Sequence, residues 1–131
     1  MLSSFPWTGL VTMIAVFVYG WTGIRVARAR IRFGVEAPAT AGSPDFERVF
    51  RVQANTAEQL LQFLPSLWLF AIYHGDLWAA GIGAIWPVGR IIYAITYSRA
   101  AEKRGPGFGL TVLPTAILAI GAVIGIMQRF F

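Results

Sequence analysis

The sequence predicts an all-α membrane protein, a bundle of four transmembrane helices. Three observations predict it. Charged residues make up only 13% of the chain and hydrophobic ones 56%, where a soluble domain is about one-quarter charged. Two uncharged runs, 5–24 and 105–128, are each long enough to cross a hydrocarbon core of about 30 Å. Between them lie two further helical patterns in which an apolar run continues directly into a file of polar side chains. A chain of 131 residues has room for one domain, here 1–131.

The first span opens on the run 5–24, and no basic residue precedes it as in a signal peptide. Arg25, Arg28, Arg30 and Arg32 follow at once, which places that end on the cytoplasmic side. Nothing breaks the helix before Phe33, so the span is 5–33. Gly34, Pro38, Gly42, Ser43 and Pro44 then mark a loop.

The second helix is predicted over 45–73, with Ser43 or Asp45 as N-cap and Glu47 in the first turn. Glu47, Arg51, Asn55, Glu58 and Gln62 fall within roughly 80° of one another on it. Such a stripe on a membrane helix should face protein, water or a ligand, because charge against lipid is costly. Pro65 is expected to bend this helix. Tyr73-His74-Gly75-Asp76 reads as a tight turn that makes helices two and three a hairpin.

The third helix is uncharged only over 77–89, too short to cross alone. It must continue through Arg90, giving a span of 77–103 with a kink expected at Pro87. Arg90, Tyr93 and Tyr97 share a face within about 60°, and Arg104 rejoins it if the helix persists. Residues 105–109, Gly-Pro-Gly-Phe-Gly, read as a break before a fourth span at 107–129. Gly121 and Gly125 form a G-x-x-x-G pair that permits close helix contact. The arginine-rich segments after spans one and three lie on one side, which puts both termini on the non-cytoplasmic side. Trp7, Trp68, Trp78 and Trp86 are expected to act mostly as interface anchors.

Composition excludes several chemistries. The chain has no cysteine, so thiolate metal sites and cysteine nucleophiles are absent. Its one histidine, His74, sits at the far end from the polar files, which leaves no Ser-His-Asp arrangement and no expected metal. The net charge of +5 comes from basic residues flanking apolar spans, a pattern that does not suit nucleic acid. Facing each other, the two files would gather Arg51, Asn55, Glu58, Arg90, Tyr93, Tyr97 and Arg104 around one cavity. Glu47, Arg48 and Arg90 would support it, with Arg90 bracing against Glu47 or Glu58. Such a set suits a small zwitterionic or multi-carboxylate ligand, gripped by arginines at its carboxylates. Two blander readings stand beside this one. Arg51 and Glu58 could be an ion pair that only joins helices. The cavity could equally serve a non-catalytic binder or small transporter of an anion or lipid headgroup.

The motif F-E-R-V-F-R-V-Q-A-N-T-A-E at 46–58, followed by Pro65, resembles the membrane-associated proteins in eicosanoid and glutathione metabolism. So does G-R-I-I-Y-A-I-T-Y at 89–97 with A-E-K-R-G-P-G-F-G at 101–109. The resemblance covers essentially the whole chain and looks like a bacterial member, which would lie in the inner membrane. It implies a homotrimer that holds glutathione between neighbouring subunits, in a site open to the cytoplasm. It further implies that Arg51, Asn55, Glu58, Tyr93 and Tyr97 hold glutathione, joined by Arg30 and Gln53 of the adjacent subunit. Arg104 matches the arginine that keeps the thiol as thiolate, for attack on a lipophilic electrophile or reduction of a lipid hydroperoxide. One position departs from the pattern: Gln59 stands where leukotriene C-forming members carry tyrosine.

Overall fold

The computed structural model describes residues 4–99 and 105–131, and among them the regular structure is entirely helical. The elements are α1 (Pro6–Phe33), α2 (Pro44–His74), α3 (Asp76–Gly83), α4 (Ile85–Arg99) and α5 (Gly105–Gln128). Helices α3 and α4 continue one another as a single rod from Asp76 to Arg99. That rod, α1 and α5 are each long and apolar enough to cross a membrane. Helix α2 has 31 residues, and its first half carries the charged file.

The start of α1 has no side-chain cap of its own. Its cap comes from across the bundle, because the Asp76 carboxylate accepts from Thr8 N at 2.7 Å and Trp7 N at 3.1 Å. An anion at a helix N-terminus satisfies orphan donors and the positive end of the helix dipole. Replacing Asp76 by alanine should therefore lower the thermal stability of the bundle. The check is a thermal melt in detergent, and a melting temperature equal to the parent's would refute the cap's importance. At its other end α1 stops on Gly34, whose φ of 67° is left-handed and suits glycine.

Helix α2 opens as the sequence predicts. Ser43 is the N-cap, its Oγ accepting from Phe46 N at 3.2 Å, and Glu47 accepts from Gly42 N at 3.0 Å. The helix runs without interruption through Pro65. A single residue, Gly75, turns the chain from α2 into α3 with φ 107°, and its N–H donates to Ala71 O at 2.8 Å.

Two boundaries differ from the sequence-based expectation. The third rod breaks at Ala84, ahead of Pro87. A proline removes the hydrogen bond to the residue four before it and crowds that carbonyl, so the irregularity falls at Gly83–Ala84. Helix α5 starts at Gly105 and includes the segment expected to be a break. Proline is tolerated in a first turn, where its missing N–H would have no partner anyway.

The main core joins every rod, with Ala15 of α1, Phe63 and Leu67 of α2, Ala79 of α3, Trp86 of α4 and Leu118 of α5 all fully buried. Trp86 is thus no interface anchor; it stacks on Phe63 with ring centroids 4.8 Å apart, because Phe63 offers it a flat apolar face. Trp68 is half-buried and donates to Thr12 at 2.9 Å, while Trp7 and Trp78 are exposed as expected of anchors. Gly121 and Gly125 sit against Phe70 and Tyr73, so the G-x-x-x-G pair does seat α5 on α2. Helices α4 and α5 approach each other closely enough to involve backbone. A Cβ on Gly89 would stand 2.6 Å from Leu110 Cβ, and one on Gly107 would stand 2.5 Å from Tyr93 Cα.

Candidate functional site

The polar file of α2 stays on one face of the helix. Arg51 and Glu58 are exposed on the outside of the bundle, while Asn55, at the edge of the file, is half-buried. Asn55 Oδ1 is buried and has no hydrogen-bond partner among the described residues. Gln53 points the other way, against α1, where its Nε2 would lie 3.2 Å from a Cβ on Gly23. Arg51 and Glu58 do not pair with each other. The one ion pair among the described residues joins Arg48 to Asp45, and Arg48 Nε also donates to Ser98 O at 3.3 Å. Among the described residues, neither Arg51 nor Glu58 joins helices through an ion pair.

On α4, Tyr93 and Tyr97 stack with centroids 5.3 Å apart and planes 10° apart. Tyr93 is buried beside Val52 of α2 and Trp21 of α1, and its ring lies 6.2 Å from that of Phe108 on α5. Tyr97 is half-buried.

Arg90 is fully buried. Its Nη2 donates to Thr56 Oγ1 at 2.8 Å, and its guanidinium carbon lies 4.3 Å from the Tyr93 ring centre and 5.9 Å from that of Trp86. Nε and Nη1 have no hydrogen-bond partner among the described residues. The expected brace to Glu47 or Glu58 is replaced by one to Thr56. The reason is register: Arg90 faces the apolar side of α2, where Val52, Thr56 and Phe63 are buried, and the glutamates are on the other side. Thr56 is the supporting residue that the sequence reading missed. Its signal was a hydroxyl inside the stripe Val52–Thr56–Phe63–Leu67, which otherwise repeats at helical core spacing.

Arg30 is half-buried at the end of α1. Its Nη1 donates to Ala39 O at 2.7 Å and its guanidinium covers the Phe46 ring at 5.2 Å, so it ties the 34–43 loop to the start of α2. Arg104 lies outside the described residues. The structure thus brings Asn55, Tyr93 and Tyr97 inward within the chain, and turns Arg51 and Glu58 outward. Among the described residues, Arg51 and Glu58 therefore do not face Tyr93 and Tyr97 across the hairpin, since a helix cannot aim residues on its outer face at its own hairpin partner.

Residues 8–124 match the MAPEG family. The chain belongs to that family. It is 35% identical over 120 residues to the microsomal glutathione S-transferase 2 of Homo sapiens, covering 92% of this chain and 82% of that protein. To the leukotriene C4 synthase of Mus musculus it is 32% identical over 120 residues, covering 92% and 80%. An uncharacterized protein of Synechocystis sp. is 53% identical over 123 residues, covering 94% of this chain and 90% of its own. With three helices able to cross a bilayer, this MAPEG chain is an integral membrane protein.

Proposed function

We propose that this MAPEG protein is a glutathione-dependent membrane enzyme acting on lipophilic electrophiles. The observation that carries the reading is the outward file of α2. Arg51 and Glu58 present opposite charges two helical turns apart, unpaired with each other, on an exposed face of the helix. A homotrimer encloses that face, with the tripeptide between one protomer's Arg51, Asn55, Glu58, Tyr93 and Tyr97 and the neighbour's Arg30 and Gln53. The names of the relatives at 35% and 32% identity support it.

The donor set fits glutathione. Its two carboxylates suit guanidinium groups, and its ammonium suits the Glu58 carboxylate. The buried Asn55 Oδ1 lacks a donor among the described residues, and a peptide N–H of the ligand would remove the penalty of leaving that bond unmade. The four helical rods form one domain whose polar end opens to the cytoplasm and whose termini lie on the other side. In a bacterium this is the inner membrane.

The chemistry belongs to sulfur. A free thiol titrates at about 8.5, so little is thiolate at neutral pH. Arg104 stabilises the anion. The thiolate then attacks the electrophile, forming a carbon–sulfur bond as the electron pair leaves with the displaced group or stays on the opened oxygen. With a lipid hydroperoxide, two glutathiones give the disulfide, the alcohol and water. Holding the tripeptide's distant charges contributes orientation.

The test is a glutathione titration of the purified protein, read as thiolate absorbance and as conjugation to a lipophilic electrophile. No glutathione-dependent signal in either would end this reading. Substituting Arg51 by alanine should weaken glutathione binding by about ten- to a hundredfold, the loss of a charged hydrogen bond of about 1.5–3 kcal/mol. An unchanged dissociation constant would show that the outward file does not hold the ligand.

A further inference from the structure

Helices α1 and α4 touch only sparsely, and the space between them is a groove with two dissimilar ends. The polar end is a cavity of about 500 Å³ lined by Arg25 and Arg32 of α1, Arg99 of α4 and Asp45 at the start of α2. The apolar end is a cavity of about 340 Å³ lined by Ile14, Phe17 and Val18 of α1 and Ile91 of α4. Trp21 lines both and joins them.

None of Arg25, Arg32 and Arg99 meets a carboxylate at ion-pair distance among the described residues. Asp45, the one acid on the rim, is already held by Arg48. Arg25 is fixed in place, its Nη1 donating to Ala94 O at 2.9 Å across the groove and its guanidinium carbon lying 5.1 Å from the Trp21 ring centre. Arginines that only set topology need no common target and can splay around the helix ends. Here they come from two helices and line one concavity. Arg25 and Arg32 stand two helical turns apart, so the cationic wall extends about 10 Å along α1 before the apolar channel begins.

We propose that this groove binds an anionic glycerophospholipid, with its phosphate between Arg25, Arg32 and Arg99 and an acyl chain along Ile14, Phe17 and Ile91. Charge complementarity decides the headgroup, because the wall carries excess positive charge that a zwitterionic lipid would neutralise poorly. The apolar continuation decides the class, because a free phosphate has nothing to place beside Phe17 and Ile91. Trp21 sits at the junction, as amphipathic rings do at the level of lipid headgroups. The site is distinct from the outward face of α2, and it rests on membrane residence alone, whatever the fate of the glutathione reading.

Native mass spectrometry of the full-length protein tests it, with phosphatidylglycerol and phosphatidylcholine of identical acyl chains as probes. Phosphatidylglycerol should be retained at least about fivefold better, the worth of roughly one arginine at a charged interface. The double variant Arg32→Gln/Arg99→Gln, which spares the Arg25 bond to Ala94, should lower retention to the phosphatidylcholine level. Ile14→Trp fills the channel from an exposed position with every charge kept, and should weaken phosphatidylglycerol about threefold or more. Excess inorganic phosphate should not displace the lipid. Equal retention of the two lipids, or a double variant that binds like the parent, would overturn the proposal. Displacement by phosphate together with an indifferent Ile14→Trp would instead mark a free-anion site and overturn it as well. Should the double variant misfold, the parent's lipid preference and Ile14→Trp still decide.

Discussion

Replacing Arg104 by alanine should remove the glutathione thiolate while leaving glutathione bound. A guanidinium at the sulfur favours the anion by direct attraction, and more strongly where water is excluded. Lowering a thiol by one to two pH units is worth about 1.4–2.7 kcal/mol of preference for the charged form. Without it, the thiol returns toward about 8.5, and conjugation at neutral pH should fall roughly ten- to twenty-fivefold, the loss of thiolate that a shift of one to two units implies. Part of that rate should return at alkaline pH, where the thiol ionises unaided. Binding measured by calorimetry should change little, because the proposed site assigns the tripeptide's carboxylates and ammonium to other residues. A variant that keeps full thiolate absorbance would remove Arg104 from the mechanism. One that loses binding and thiolate together would make it a binding residue only.

The largest structural effect is expected at Gly107. A methyl group there would sit 2.5 Å from Tyr93 Cα, against backbone that cannot swing aside. Helix α5 would have to move off α4, and Tyr93 would move with it. Gly107→Ala should cost about 3 kcal/mol in stability, at the upper end for overpacking. It should also weaken glutathione binding, since Tyr93 is both the contact point and a proposed ligand residue. Gly81→Ala is the control, with nothing within 4 Å of its added methyl group. There the substitution should be neutral or stabilising by up to about 1 kcal/mol, because alanine is the better helix residue. Similar melting temperatures for the two variants would show that the α4–α5 approach is looser than the geometry states.

Much of this architecture was legible in the residues. The end of α1 at Phe33, the Ser43 cap and the hairpin turn at Gly75 all follow from local chemistry: a left-handed glycine, a hydroxyl cap, a residue free to take φ 107°. The continuation of the third rod through Arg90 followed from the sequence, since thirteen apolar residues could not have crossed alone. The break one turn before Pro87 was missed because proline acts on the carbonyl four residues back. The site was harder. Periodicity put Glu47, Arg51, Asn55 and Glu58 on one face, but it could not say that this face turns away from α4. That depends on which side of α2 the large residues Phe63 and Leu67 choose to bury. The burial of Arg90 was illegible for the same reason, and its partner Thr56 belongs to the core stripe rather than to the polar file.

The hydroxyl that receives Arg90 also bears on how the chain reaches its membrane. A lone rod from Asp76 to Arg99 would carry an unescorted cation into hydrocarbon, at about 2.5–3.5 kcal/mol near a helix centre. The ring of Tyr93 travels on the same rod, but the hydroxyl of Thr56 reaches that cation only once α2 lies alongside. Insertion of the two arms as one hairpin, joined by the short link at Gly75, should therefore be more favourable than insertion of the third rod alone.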